Sequence, residues 1–166
     1  MPISDAMPKS VLLVCLGNIC RSPTAEGIMR QRTAIAGLTL KVDSAGTGDW
    51  HIGKHPDERA QKHAKQHGYN ISKLVARQVG PKDFVDFDLI LAMDAQNLAD
   101  LEQIKKQAEQ QFDSQPLARL ALMSEVDSTY NKQDVPDPYY GGEDGFEDVI
   151  TRLESSVDAW IDTWMI

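Results

Sequence analysis

The sequence lacks the features that would place it in several large protein classes. It holds only two cysteines, Cys15 and Cys20. A disulfide-built secreted scaffold spreads its cysteines to staple distant segments, whereas these two share one turn and could close only a tiny loop. Lys and Arg number 17 against 25 Asp and Glu, giving a formal net charge of −8. That balance argues against nucleic acid or an anionic membrane as partner, since both demand a basic face. Long apolar runs are missing too. The stretch Val11 to Leu16 is far too short for a membrane span and lacks the basic flank of a signal peptide. A cytoplasmic protein without membrane insertion is therefore expected. No repeat, linker or low-complexity tract interrupts the chain. We read residues 1–9, polar with two prolines, as a flexible lead-in and residues 10–166 as one domain.

What is present alternates between two periodicities. Ser10 to Val14 has the length and β-branched content of a buried strand. After a turn centred on Gly17-Asn18, Ser22-Pro23 reads as an N-cap and first helical residue, with Glu26 in the first turn. Ala25, Ile28, Met29 and Ile35 carry the helical stripe until Gly37 stops it. Leu38 to Ser44 reads as a second strand, Asp57 to His67 as a polar helix closed by Gly68, and Phe87 to Met93 as a third strand. Lys73 to Val79 is ambiguous between a short strand and irregular chain. Asp94 caps a helix running to about Gln110, Pro116 to Leu122 reads as a fourth strand, and Glu143 to Trp164 as a long amphipathic helix. This order predicts an α/β fold in three layers, a four-stranded parallel sheet with helices on both faces. Ligands in such sheets sit at the carboxyl ends of the strands.

The first strand ends at Cys15, and Cys15 and Arg21 enclose five residues. A loop that short can curl into a ring of inward amides, which binds an anion above the thiol. The amides of Leu16, Gly17, Asn18, Ile19, Cys20, Arg21 and Ser22 would supply donors to a phosphate, and the following helix adds its positive end. Arg21 can grip two phosphate oxygens at once, as lysine could not. The same field favours a thiolate at Cys15, the nucleophilic form. Two other loop chemistries fail, because neither the glycines and Lys of a nucleoside triphosphate loop nor the three glycines of a dinucleotide turn are here. His51/His55 and His63/His67 have the spacing of paired zinc ligands, but no cysteine outside the loop supports a site, so no metal is expected. Ser124 to Gly142 has no periodicity. A loop that long in a compact domain is usually functional or disordered. Pro136 and Pro138 restrict Asp137 within it, and Tyr139 and Tyr140 argue against disorder.

Cys15-Leu16-Gly17-Asn18-Ile19-Cys20-Arg21-Ser22-Pro23, with Asp137-Pro138-Tyr139-Tyr140 far downstream, resembles the low-molecular-weight protein tyrosine phosphatase family. The match runs from Val11 to the final helix. The resemblance implies the same parallel-sheet fold and hydrolysis of phosphotyrosine through a phosphocysteine at Cys15. It makes Arg21 and the loop amides the phosphate holders and Asp137 the general acid and base. It places Ser22 against the cysteine sulfur, has Asn18 held by Ser44 and His67, and makes Trp50, Tyr139 and Tyr140 the walls around a phenyl ring. Cys20 would be a redox partner of Cys15. No cofactor is implied. The partners implied are phosphotyrosine proteins, tyrosine kinases among them in some bacteria, and the chain would be a monomer or weak dimer. Arsenate reduction on this fold needs later cysteines, which the chain lacks. A sister branch that hydrolyses phosphoarginine carries threonine where Ile19 stands. A phosphopeptide-binding module would have lost Cys15 or Asp137.

Overall fold

The computed structural model describes residues 7–165. Among them four strands, β1 (Ser10–Cys15), β2 (Lys41–Gly46), β3 (Leu89–Ala92) and β4 (Arg119–Leu122), form one parallel sheet in the order β2-β1-β3-β4. The helices are α1 (Arg21–Ile35), α2 (Glu58–Gln66), α3 (Asp83–Asp86), α4 (Ala95–Gln111) and α5 (Glu143–Trp164). The three-layer α/β architecture expected from the sequence is the one found.

β1 is central and buried along its whole length, which is why its sequence is apolar at every position instead of alternating. Its side chains divide by the period of two. Val11, Leu13 and Cys15 share a core with α1, α2 and α5, whereas Leu12 and Val14 share one with α3 and α4. Burying one such Leu or Val stabilises by roughly 2 kcal/mol, so the strand that ends at Cys15 is firmly anchored. The final helix supplies much of the first core. Phe146, Val149, Ile150, Leu153, Val157, Trp160, Ile161 and Trp164 are all buried, and Trp160 Nε1 donates to Met123 O at 2.7 Å.

Some boundaries differ for identifiable reasons. Gly37 adopts φ +76, and Leu38 N bonds back to Thr33 O at 2.9 Å, closing α1 with a left-handed cap. Leu38 is thereby used in the cap, and β2 opens only at Lys41, opposite Ser10. α3 was not anticipated; its single turn follows Pro81, and Asp83 accepts from Gly80 N at 2.9 Å. The ambiguous stretch from Lys73 to Val79 is irregular, joined to β2 by one isolated bridge between Gly46 and Gln78. Residues 1–6 of the expected lead-in lie outside the described residues. Its last part is tied down, because Lys9 N donates to Asp88 Oδ2 at 2.8 Å and Met7 packs on the core. Among the described residues no helix is long and apolar enough to cross a membrane.

Gly46 ends β2 directly against the loop that follows β1. A Cβ there would stand 2.7 Å from Leu16 O, so Gly46→Ala must push the loop or the strand end aside. Urea unfolding should show a loss of about 1–3 kcal/mol, the usual cost of overpacking, and an unchanged midpoint would contradict this packing.

Candidate active site

The loop from Leu16 to Cys20 turns its carbonyls outward. Cys15 O and Leu16 O accept from Thr47 N and Gly48 N at 2.9 Å each, and Ile19 O accepts from Asp57 N at 2.8 Å. In a trans peptide the N–H opposes the C=O, so the amides of Leu16, Gly17 and Cys20 face inward. Asn18 makes the turn at φ 57, a left-handed conformation that asparagine tolerates. Its N–H donates to Cys15 Sγ at 3.2 Å, and Ser22 Oγ lies 3.0 Å from the same sulfur. Two dipoles thus rest on the thiol at the N-terminus of α1.

Ser22 does not cap α1, contrary to the sequence reading. The helix starts at Arg21 with Cys20 at the N-cap position and no side-chain cap bond. The hydroxyl of Ser22 is committed to Cys15 and to Asn18, whose Nδ2 donates to it at 2.7 Å.

Arg21 is almost wholly buried, and its guanidinium is fixed from below. Nη1 donates to Asp94 Oδ2 at 2.6 Å and to Val135 O at 3.0 Å. Asp94 does two tasks, since its Oδ1 accepts from Asn97 N at 2.7 Å and caps α4. Burial alone would favour a neutral guanidine, but the charges of Cys15, Asp94 and Asp137 outweigh it and keep Arg21 cationic. Asp137 Oδ2 is 3.6 Å from Arg21 Nη2, and Asp137 Oδ1 accepts from Tyr139 N at 3.0 Å.

These groups open on one cleft of about 350 Å³, lined by the loop, Arg21, Trp50, His51, Asp137, Tyr139 and Tyr140. Trp50, Tyr139 and Tyr140 thus face the same cleft. Trp50 lies over Gly48, where a Cβ would stand only 2.0 Å from the indole, so the glycine makes room for the ring. Tyr139 and Tyr140 meet edge to face at 4.9 Å, a favourable quadrupole arrangement. Tyr140 is 92% exposed and forms the outer rim. His51 shares the lining, with its ring 6.2 Å from that of Tyr139. Cys20 is buried beside Cys15 in the lining; burial and the neighbouring Asp57 push its thiol up, away from the thiolate form. Among the described residues no group of three His, Cys, Asp or Glu side chains could hold a metal ion.

The model of the low molecular weight phosphotyrosine protein phosphatase family matches residues 10–164. The chain belongs to that family. It is 42% identical over 146 residues to the low molecular weight phosphotyrosine protein phosphatase of Schizosaccharomyces pombe, covering 86% of this chain and 88% of that one. A protein tyrosine phosphatase from Entamoeba histolytica superposes with TM-score 0.82 at 39% identity, over 93% of this chain and 95% of that one. A Drosophila arginine phosphatase superposes at 0.85 with 32% identity, over 94% and 98%. Fold likeness alone therefore does not select the phosphoryl donor.

Within this member of the phosphatase family, the sequence reading misassigned one supporting residue. His67 does not touch Asn18; its Nε2 pairs with Glu147 Oε1 at 2.9 Å, while His63 Nδ1 meets Oε2 at 2.7 Å. Spacing along the chain cannot show that α2 turns this edge toward α5. Asn18 does donate to Ser44 Oγ, at 3.0 Å, and in place of His67 its other partner is Arg77 N, which donates to Asn18 Oδ1 at 3.1 Å. Behind Ser44 stands Glu26, buried, accepting its hydroxyl at 2.8 Å and gripped by Arg30. Burial raises the carboxyl of Glu26 above its ordinary range. The sequence offers Glu26 only as a first-turn acid and Asp94 only as a helix cap, and nothing in it marks Arg77. A charged residue within an apolar helical stripe was the one available signal, at Glu26.

Removing the partner of a buried charge is costly. Asp94→Ala should destabilise by about 3 kcal/mol, the low end for a broken buried pair because Asp94 is partly exposed. Asp94→Asn keeps the cap on Asn97 and should cost about 1 kcal/mol less. Equal losses in urea unfolding would contradict the double role. Hydrogen bonds from His67 and His63 hold the Glu147 carboxyl below its ordinary range. The stability this supplies is present above the unfolded value of roughly 4.3 and is lost as pH falls through the lower folded value. Glu147→Gln should therefore flatten the acid limb of a Tm-against-pH profile, and an unchanged limb would contradict it.

Proposed function

We propose that the protein hydrolyses phosphotyrosine monoesters in other proteins through a phosphocysteine at Cys15, with Asp137 as general acid and base. The observation that carries this reading is the single cleft in which the Cys15 sulfur, the inward amides, buried Arg21 and Asp137 meet beneath three aromatic rings. The Cys15 thiolate attacks phosphorus opposite the phenolic oxygen. As the S–P bond forms and the P–O bond breaks, Asp137 gives its proton to the departing phenolate. The equatorial oxygens rest on the loop amides and Arg21, which take up charge at the moment it shifts onto them. In the second step Asp137, now a carboxylate, takes a proton from water as it attacks phosphorus. The S–P bond breaks, inorganic phosphate leaves, and the Ser22 hydroxyl at the sulfur eases return of the thiolate. No metal is required, because Arg21 and the helix end supply the positive charge.

Depth selects the substrate. A phosphoserine is too short to bring phosphorus to the sulfur past Trp50 and Tyr139, whereas a phenyl ring spans the distance and lies flat between them. Ile19, aliphatic and lining the cleft, favours phosphotyrosine over phosphoarginine. Cys20 is read as resolving thiol: a peroxide oxidises Cys15 to a sulfenic acid, and Cys20 displaces water to close a reversible disulfide. Free thiols of this kind suit the reducing cytoplasm, where we place the protein.

Hydrolysis of aryl phosphates in excess chelator should persist in the wild type and vanish in Cys15→Ser; equal rates in the two would sink the mechanism. Asp137→Ala should slow phenyl phosphate by about 10²-fold or more, the usual contribution of a general acid, but dinitrophenyl phosphate far less. Phosphoarginine turned over faster than phosphotyrosine would reverse the substrate assignment.

A further inference from the structure

Arg59, in the first turn of α2, lies outside the cleft lining and has no part in the chemistry above. Its contacts nevertheless converge on the segment that carries the acid. Nη2 donates to Tyr139 O at 3.0 Å. The guanidinium stands 5.5 Å from the centre of the Tyr139 ring and 4.9 Å from that of Phe146, in cation–π range of both. On its other side Arg59 holds Asp57 through both carboxylate oxygens at 3.1 Å each. Asp57 in turn donates its backbone N–H to Ile19 O in the phosphate-sized loop.

Tyr139 is the residue whose N–H sets the Asp137 carboxylate, at 3.0 Å from Oδ1. Its carbonyl is what Arg59 holds. Between Val135, which is pinned to β3 by Val135 N→Met93 O, and the start of α5, few other bonds restrain the chain. Among the described residues, Arg59 supplies the one side-chain hydrogen bond to a backbone carbonyl of residues 136–142. We infer that Arg59 is a positioning residue for the general acid: it clamps Tyr139 between α2 and α5, and through Asp57 it ties that clamp to the loop around Cys15. Proton donation is the step it serves, because displacement of Tyr139 moves Asp137 while Arg21 keeps its bonds to Asp94 and Val135 and Cys15 keeps those to Asn18 and Ser22. A general acid must sit within hydrogen-bond reach of the leaving oxygen, so a small displacement weakens it. The inference rests on the reading of Asp137 as that acid.

The test compares Arg59→Ala and Arg59→Lys on phenyl phosphate and on dinitrophenyl phosphate, whose leaving group needs no proton. Arg59→Ala should lower kcat on phenyl phosphate about tenfold, part of what a general acid supplies, and on dinitrophenyl phosphate less than about twofold. Arg59→Lys, which keeps a donor and a cation but loses the planar fork, should fall between. In an Asp137→Ala background, Arg59→Ala should add no further loss on phenyl phosphate. A uniform loss on both esters, or an undiminished effect of Arg59→Ala without Asp137, would overturn the inference. If Asp137→Ala alone failed to discriminate the esters, the mechanism itself would be at fault; if it discriminated them and Arg59→Ala did not, only the clamp would be.

Discussion

Everything at the site depends on one backbone constraint, the turning of the loop amides inward around the Cys15 sulfur. Peptide planes cannot do this unless their carbonyls find partners outside, and two neighbouring segments provide them, one through Thr47 and Gly48 and the other through Asp57. The turn also requires a residue at positive φ. Asn18 fills that position and, unlike glycine, has a side chain that locks it, bonding Ser22, Ser44 and the Arg77 amide. The sulfur therefore meets dipoles that are already oriented before any anion arrives. Preorganisation of that kind is the largest electrostatic contribution an enzyme makes to a charged transition state.

Arg21 illustrates the second half of the design. A buried cation is tolerated only when paired, and Asp94 both neutralises it and caps α4. The Val135 carbonyl takes a further N–H of Arg21, which draws the start of the segment bearing Asp137 toward the loop. The long irregular stretch from Ser124 to Gly142 is thus no free connector. Asp127 accepts from Ser156 at 2.8 Å, Ser124 donates to Gln133 O at 2.6 Å, and α5 holds the whole against the sheet. The same helix that fills the core through Trp160 carries Phe146 and Glu147, where α2 docks.

The sheet, its alternating helices and the loop were legible because each is written locally. Apolar runs mark buried strands, Asp94 marks a helix start, Gly37 and Gly68 mark helix ends at positive φ, and a thiol and arginine around five residues mark a tight loop between strand and helix. Partners across the fold were not legible. His67 and His63 sit four apart on α2, yet nothing in the chain reveals that both close on Glu147 of α5. Ser22 followed by Pro23 reads as a cap by every local rule, but the sulfur is the stronger claimant on its hydroxyl. Glu26 and Asp94 read locally as acids at helix starts and Arg77 carries no local signal; only the topology brings them behind the loop. Local propensity decides the elements; which polar group serves the site is decided by neighbours distant in sequence.

The proposed mechanism turns on where the phosphoryl group goes. Rapid acid quenching of the enzyme during turnover of an aryl phosphate, followed by mass spectrometry of its peptides, tests this directly. One phosphoryl group on the sulfur of Cys15, absent in Cys15→Ser, is the predicted result. A phosphoryl group on another residue, or steady turnover with no covalent adduct when the second step is slowed by substitution of Asp137, would contradict it.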